Sequence, residues 1–355
     1  DLFMRLWCET PISNIGFALA SSADALVSGK RWFPHNKGGS FRKWYGNCDY
    51  VVDWSDDGVA IKSYTNDTGQ LASYPRNQDV YFKPCVTWSK ISSGKLAFRY
   101  KEQGDIFNEV APAIFGSHKL LMALESFLNS SACAKIAEFL SPTLDFQVGQ
   151  VATYPIAPQT IDDEEAVACA EKCTSISRVD YDSFETSWDF QRHPLVIPAI
   201  NQHYLRLADC WRDWEMACDE RFTLLKANEE KLNRIFIDIY GLQDELTPEV
   251  DDKDVTVRKA DLGRDIRSLI SYAVGCMLGR YSLDKPGLAF AGGNWQEWLM
   301  HQDAMTYAPD MDVILPITDY EYFFDYVETI FVDWVKTVYG AATLEENLRF
   351  IADAL

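Results

Sequence analysis

Long apolar runs are missing from this 355-residue chain, although 47% of it is hydrophobic. Apolar runs such as Ile235 to Tyr240 and Thr329 to Val332 are interrupted by charge far short of the roughly 20 residues a bilayer-spanning helix needs. The start does not read as a signal peptide either: the chain opens on Asp1 with no basic segment followed by an apolar one. The opening therefore reads as a cut in a longer chain, no membrane partner is expected, and the expected location is cytoplasmic. Paired cysteines are also lacking. Nine stand at 8, 48, 85, 133, 169, 173, 210, 218 and 276, an odd number without the close spacings of a secreted disulfide framework. Cys169 and Cys173 suit one helix face, but no neighbouring histidine or cysteine completes a zinc quartet, so they are expected as small, partly buried side chains. The five histidines, His35, His118, His193, His203 and His301, show no ligand spacing. Absent as well are GxSxG, HExxH, GxGxxG and the P-loop pattern; Lys37-Gly38-Gly39-Ser40 shares only the flavour of the last. With 53 acids, adjacent carboxylates single out nothing, and a carboxylate hydrolase would rest on tryptophan and acid abundance alone.

What is present is unevenly spread. The net charge of -20 argues against nucleic acid, whose phosphates demand cations. Yet residues 1–100 hold 12 Lys+Arg against 9 Asp+Glu, a net of +3 that leaves -23 for the other 255. Between Asp24 and Asp49 stand five basic residues, Lys30, Arg31, Lys37, Arg42 and Lys43, and no acid. Trp32, Phe33, Phe41, Trp44 and Tyr45 are interleaved with them, the composition of a surface that touches a polyanion. The alternative is a basic loop whose aromatics belong to the core.

The pattern predicts short strands at Tyr50–Trp54, Val59–Tyr64, Val80–Ile91 and Leu96–Tyr100, with a hairpin turn at Ser92-Ser93-Gly94. A helix from Lys119 to Leu140 and an extended stretch from Phe146 to Ile156 follow. Tyr204, Trp211, Cys218, Leu225, Leu232 and Ile239 recur every seven residues, which predicts one long helix over 201–239, capped by Gly241 and packed against another helix. That partner is expected from 262–281 or the C-terminal region. Further helices are predicted at Leu262–Tyr281, Asp319–Tyr339 and from Leu344 to the end. The fold class expected is α+β: a β-rich unit over 1–157, a polar, acidic connector over 158–200, and the long helix with a helical C-terminal region over 201–355.

The run Lys30-Arg31-Trp32-Phe33-Pro34-His35-Asn36-Lys37-Gly38-Gly39-Ser40-Phe41-Arg42-Lys43-Trp44-Tyr45-Gly46-Asn47, followed by Tyr50-Val51-Val52-Asp53-Trp54, resembles the signature of PglX-type adenine-specific DNA methyltransferases of BREX phage-defence systems. Thr87 to Gly94, Asp182 to Phe190 and Ile270 to Gly293 are similar to the same family, so the resemblance covers nearly the whole chain. Leu232 to Leu242 resembles the end of the spacer helix in single-chain restriction-modification enzymes, and Thr143 to Ile156 the close of a target-recognition domain. The resemblance implies methyl transfer from S-adenosylmethionine to adenine N6, with residues 1–157 as the target-recognition domain and the long helix as spacer. The family's Asn-Pro-Pro-Tyr type loop is absent, since no two of the 14 prolines are adjacent. No catalytic residue carries over, the chain alone is expected to bind no S-adenosylmethionine and to be inactive, and both the cofactor and the chemistry belong to the parent enzyme.

Reading double-stranded DNA needs cations for phosphates and polar side chains for base edges. Candidate phosphate contacts are Lys30, Lys37, Arg42, Lys43 and Lys90; candidate base readers are Asn36, Asn47, Asn77 and Ser92. Arg31, Tyr45, Arg76 and Ser93 complete the candidate set. A second expectation, of a different class, is that the acidic, aromatic C-terminal half docks other defence proteins.

Overall fold

The computed structural model describes residues 2–91, 95–140, 145–197, 206–300, 305–317 and 326–355. Helix amounts to 49% and strand to 10%, which makes the fold α+β as expected, with helix dominant. The chain divides into two units, each built from two stretches: Asp1–Tyr181 with Phe222–Val257, and Asp182–Arg221 with Arg258–Leu355.

In the first unit, strands β1 (Met4–Leu6), β2 (Trp32–Asn36), β3 (Tyr50–Asp53), β4 (Cys85–Trp88), β5 (Phe98–Lys101), β6 (Ile106–Phe107) and β7 (Ala113–Phe115) form two small sheets. Their orders are β1-β3-β2-β6 and β5-β4-β7. All pairs are antiparallel except β2 with β6. Side chains alternate between faces along a strand. Phe33 and Val52, directly opposite each other, therefore share one face and bury with Trp54, Tyr81, Phe82 and Ile106. Three of the predicted strands exist as the shorter β3, β4 and β5. The predicted turn residues Ser92 to Gly94 lie outside the described residues, but β4 and β5 pair as a hairpin would, Thr87 opposite Arg99.

The predicted strand Val59–Tyr64 is not formed. After helix α1 (Ser22–Ser28) and β3, the chain enters α2 (Ser55–Lys62), inside which Asp56, Asp57 and Gly58 are left-handed, with φ of 50°, 57° and 71°. This reversal lays Gly58 against the Trp54 ring, where a Cβ would come within 2.5 Å, and leaves Val59 exposed while Ile61 is buried.

The predicted helix Lys119–Leu140 is two helices, α3 (His118–Leu128) and α4 (Ser131–Leu140). Asn129 interrupts them because its side chain bonds the backbone N–H and C=O of Phe98, each at 3.0 Å. The stretch expected to be extended, Phe146–Ile156, instead holds the short helix α5 (Val148–Val151). Where a connector was expected lie α6 (Pro158–Asp162) and the 19-residue α7 (Glu164–Asp182), which buries Ala166, Cys169, Ala170 and Cys173 in the first unit's core. The acidic run that suggested a linker is the start of α7, where carboxylates favour the positive end of the helix dipole.

The long helix is present as α8 (Leu207–Tyr240); positions 201–205 lie outside the described residues. Gly241 closes it at φ 66°, with the Leu242 N–H donating to Ile237 O at 2.9 Å. Its packing partner changes along its length. Leu207, Cys210, Trp214 and Cys218 bury in the second unit, with Ile266, Leu269, Tyr272, Ala273 and Cys276 of α9 (Leu262–Met277). From Phe222 onward Leu225, Leu232 and Phe236 bury against α3, α4 and α7 instead. The expected partner region thus serves only the first part of the helix.

The second unit adds α10 (Trp295–Met300), α11 (Val327–Tyr339) and α12 (Leu344–Ala354), with Trp334, Val335, Tyr339 and Ile351 closing its core. Of the predicted helix Asp319–Tyr339, residues 319–325 lie outside the described ones.

His193 of this unit is buried, its Nδ1 accepting the Leu195 N–H at 3.2 Å, and burial pulls its pKa down to about 3. As pH falls through the unfolded value of roughly 6.5, the unfolded chain takes up a proton that the folded one refuses until near 3, so stability present at pH 7 is lost on acidification. We expect this histidine to account for about 2 kcal/mol of lost stability between pH 7 and 5. Urea titrations at both pH values should show that share missing in His193→Asn.

Candidate nucleic-acid interface

The structure divides the candidate residues into buried and exposed groups. All five residues of β2 are buried. Asn36 is fully enclosed and its Nδ2 donates to Thr87 Oγ1 at 2.6 Å, tying one sheet to the other. Asn47 is buried in the left-handed region, at φ 53°, and closes its own loop by donating to Ser40 O at 3.0 Å. Next to it Gly46 has φ 125°, and a Cβ there would meet Arg42 Cδ at 2.4 Å. Tyr45 is buried edge-on against Tyr181, with the Arg178 guanidinium 5.3 Å from its ring centre.

Arg42 and Lys43 are buried as well. Arg42 reaches Asp180 at 3.4 Å and lies 5.3 Å from the Tyr181 ring centre. Lys43 Nζ donates to Glu229 Oε2 at 2.6 Å while the neighbouring Trp44 Nε1 donates to Oε1 of the same carboxylate at 2.6 Å. Neither cation is offered to a phosphate in this arrangement. Sequence reasoning did not mark Glu229, yet the signal was there: it sits on the buried stripe of α8, four residues after Leu225 and three before Leu232. Beneath these pairs Arg99 is buried, donating to Arg42 O at 3.0 Å and Ser89 Oγ at 3.2 Å, and burial brings its pKa down to about 10.

Three of the candidate cations lie at the first sheet. Arg31 is exposed, 2.8 Å from Asp53 and 5.2 Å from the Trp32 ring centre. On the other strand edge Arg5, which the sequence reading passed over, lies 5.9 Å from the same ring. Trp32 thus holds two guanidiniums in place. Half-buried Lys30 donates to Ser13 O at 2.5 Å, and half-buried Lys37, just after β2, lies 4.5 Å from the Tyr50 ring centre. Partial burial works against the charge of Asp53, but hydrogen bonds from Ser55 and Arg31 hold its carboxyl below the ordinary value. His35 is buried, and burial with the nearby Lys37 charge lowers its pKa to about 4, so it adds no cation at neutral pH.

Arg76 and Asn77 are exposed, Asn77 at φ 53°, on a loop away from the 30–47 run in sequence. Lys90 is half-buried with its backbone committed to Val110 and Phe146. Ser92 and Ser93 lie outside the described residues.

A cleft of about 790 Å³ in the first unit tests the hydrolase alternative. Of its five carboxylates, Glu138, Glu229, Asp251 and Asp254 are each tied to a lysine, Lys135, Lys43, Lys253 and Lys95, and the fifth, Glu249, is exposed with its carboxyl held below the ordinary value by a hydrogen bond from Thr247. A general acid and base need separate environments that push their pKa values apart, and neither the ion pairs nor the exposed Glu249, whose carboxyl is lowered rather than raised, provides the acid. Among the described residues no group of three His, Cys, Asp or Glu is placed to hold a metal, and no helix is long and apolar enough to cross a membrane.

No family model matches the chain. Along its whole length the chain is similar to part of adenine-specific methyltransferases. It is 44% identical over 360 residues to the adenine-specific methyltransferase PglX of Lacticaseibacillus casei strain Zhang. It is 32% identical over 380 residues to the adenine-specific methyltransferase BrxX of Escherichia coli O9:H4 strain HS. The chain spans 29% of the length of each, and the resemblance read in the sequence is borne out.

Proposed function

We propose that the first unit reads DNA sequence on behalf of an S-adenosylmethionine-dependent adenine-N6 methyltransferase of BREX-type phage defence. The observation that carries this reading is the end-to-end similarity to two adenine-specific methyltransferases in a chain without the Asn-Pro-Pro-Tyr type loop. The described residues do not fit S-adenosylmethionine itself. Adenosyl and dinucleotide cofactors rest where a parallel strand turns through glycines into a helix, and among the described residues the parallel pairing is two residues of β2 and β6 and two isolated bridges, Ile15 with Trp32 and Trp44 with Arg99. The chain therefore contributes recognition, and the larger enzyme contributes the cofactor and the methyl transfer.

On this reading Arg5, Lys30, Arg31 and Lys37 contact phosphates. Arg42 and Lys43, buried in ion pairs, keep the cation-bearing loop in shape. Fluorescence anisotropy against duplex DNA over a salt series tests it. Alanine at Arg5, Arg31 and Lys37 together should weaken binding to every sequence and flatten the slope of log K against log salt by about 0.9 per lost contact. An unchanged slope would place the DNA face elsewhere on the unit.

A second role, docking of other defence proteins, is favoured for the second unit. From Pro286 to Val335 there is no Lys or Arg, and Met300, Met311, Ile314 and Ile317 are 63–80% exposed.

A further inference from the structure

The segment between α2 and residue 73 is ordered but buries nothing. All ten residues from Ser63 to Ala72 are exposed. They form a tight two-stranded ribbon: Thr65 bridges Leu71, the Ala72 N–H donates to Tyr64 O at 2.9 Å, and the Asn66 N–H donates to Gln70 O at 2.8 Å. The tip is set by Asn66, whose Oδ1 accepts from the Thr68 and Gln70 N–H groups at 3.1 and 3.0 Å, and by Gly69 at φ 76°. The ribbon belongs to none of the three apolar cores. Loops held rigid without serving a core are where binding residues concentrate.

Its chemistry and its place both suit the edges of bases. The ribbon carries no Lys or Arg. It presents the Thr65 hydroxyl, the Asp67 carboxylate and the Gln70 amide to solvent, whereas Asn66 and Thr68 are spent on the turn. A two-stranded ribbon fits the major groove, a glutamine amide pairs with the adenine edge, and a carboxylate accepts from the cytosine amino group. At its base the Tyr64 ring packs edge-on against Phe3, 5.4 Å between centres. Phe3 leads into β1 and its carbonyl accepts the Asp53 N–H; Asp53 stands opposite Trp32. The ribbon therefore springs from the end of the sheet where Arg5, Trp32 and Arg31 meet. Phosphate contacts that fix position and side chains that specify sequence are set beside each other there.

We propose that the Tyr64–Ala72 ribbon is the element that reads base edges, with Thr65, Asp67 and Gln70 as the specificity-determining side chains. This rests on the DNA-reading role of the first unit. The test compares two variants of the full-length methyltransferase carrying this sequence: Thr65→Ala with Gln70→Ala, and Arg5→Ala with Arg31→Ala. The ribbon variant is expected to lose roughly 10- to 100-fold in kcat/KM at the cognate site. It should gain relative activity at sites with one changed base pair and keep non-cognate affinity and salt slope. Asp67→Asn, which adds a donor to the same position, should shift the methylated motif. The cation variant should weaken all duplexes alike. Unchanged rate and motif in the ribbon variant, with the cation variant weakened, would overturn the ribbon assignment alone. So would an equal loss on cognate and non-cognate DNA. If neither variant changes binding or methylation, the DNA-reading role of the unit falls with it.

Discussion

Glu229→Leu is expected to destabilise the first unit by about 3 to 5 kcal/mol, the cost of leaving a buried charge without its partner. The carboxylate is 3% exposed and engages two donors at once, Lys43 Nζ and Trp44 Nε1. Removing it strands an ammonium that is only 10% exposed and leaves an indole N–H unpaired beside it. The converse pairing separates charge from packing. In Lys43→Met with Glu229→Gln no buried charge remains, and the Gln amide oxygen still accepts from Trp44, so most of the loss should be recovered. Urea unfolding followed by tryptophan fluorescence, with the single changes completing a double-mutant cycle, measures the coupling directly. A Glu229→Leu protein within 1 kcal/mol of the parent would contradict the enclosed ion pair.

The second large effect is expected at Phe127. This ring is fully buried, stacked on Tyr240 at 5.1 Å between centres and edge-on to Phe236 at 5.5 Å, so it joins α3 to the end of α8. Phe127→Ala should cost about 3 to 5 kcal/mol through the lost apolar transfer and the cavity left behind. Phe139, on the next helix, is 74% exposed, and its alanine variant should stay within about 0.5 kcal/mol. Equal losses for the two would mean that α4 turns a different face inward.

Both phenylalanines belong to one apolar pattern in the sequence, and that pattern cannot tell them apart. Periodicity specifies a stripe on a continuous helix, but Asn129 breaks the helix to satisfy Phe98, and the stripe of α4 is thereby set afresh. The long helix Leu207–Tyr240 and its glycine cap were legible because nothing interrupts their pattern. The strands β1, β2, β6 and β7 were not: β2 is buried at every position and so shows no alternation, and the others are two or three residues long.

The basic, aromatic run shows the limit of composition more sharply. Five cations without a nearby acid read as a polyanion surface, but the acids that neutralise two of them stand 138 and 186 positions further on. A window of twenty residues contains no trace of Asp180 or Glu229. Of the three cations that stay outside, Arg31 and Lys37 are held near tryptophan and tyrosine rings and Lys30 donates to Ser13 O, and Arg5 joins them only because β1 pairs with β3. The ribbon Tyr64–Ala72 went unnoticed because its composition is that of an ordinary loop; what marks it is exposure, which a sequence does not display.

Each unit is made of two stretches of chain that alternate along the sequence. During synthesis Asp1–Tyr181 leaves the ribosome well before Phe222–Val257, the segment that brings Glu229, Leu232 and Phe236 to the first unit's core. Until then Lys43 has no counter-ion and Phe127 no ring to stack on. The nascent first unit must therefore wait, incompletely closed, while the opening stretch of the second is being made. Domains that can close only late in translation expose apolar surface longest, which makes this chain a candidate for chaperone capture while residues 182–257 are being made.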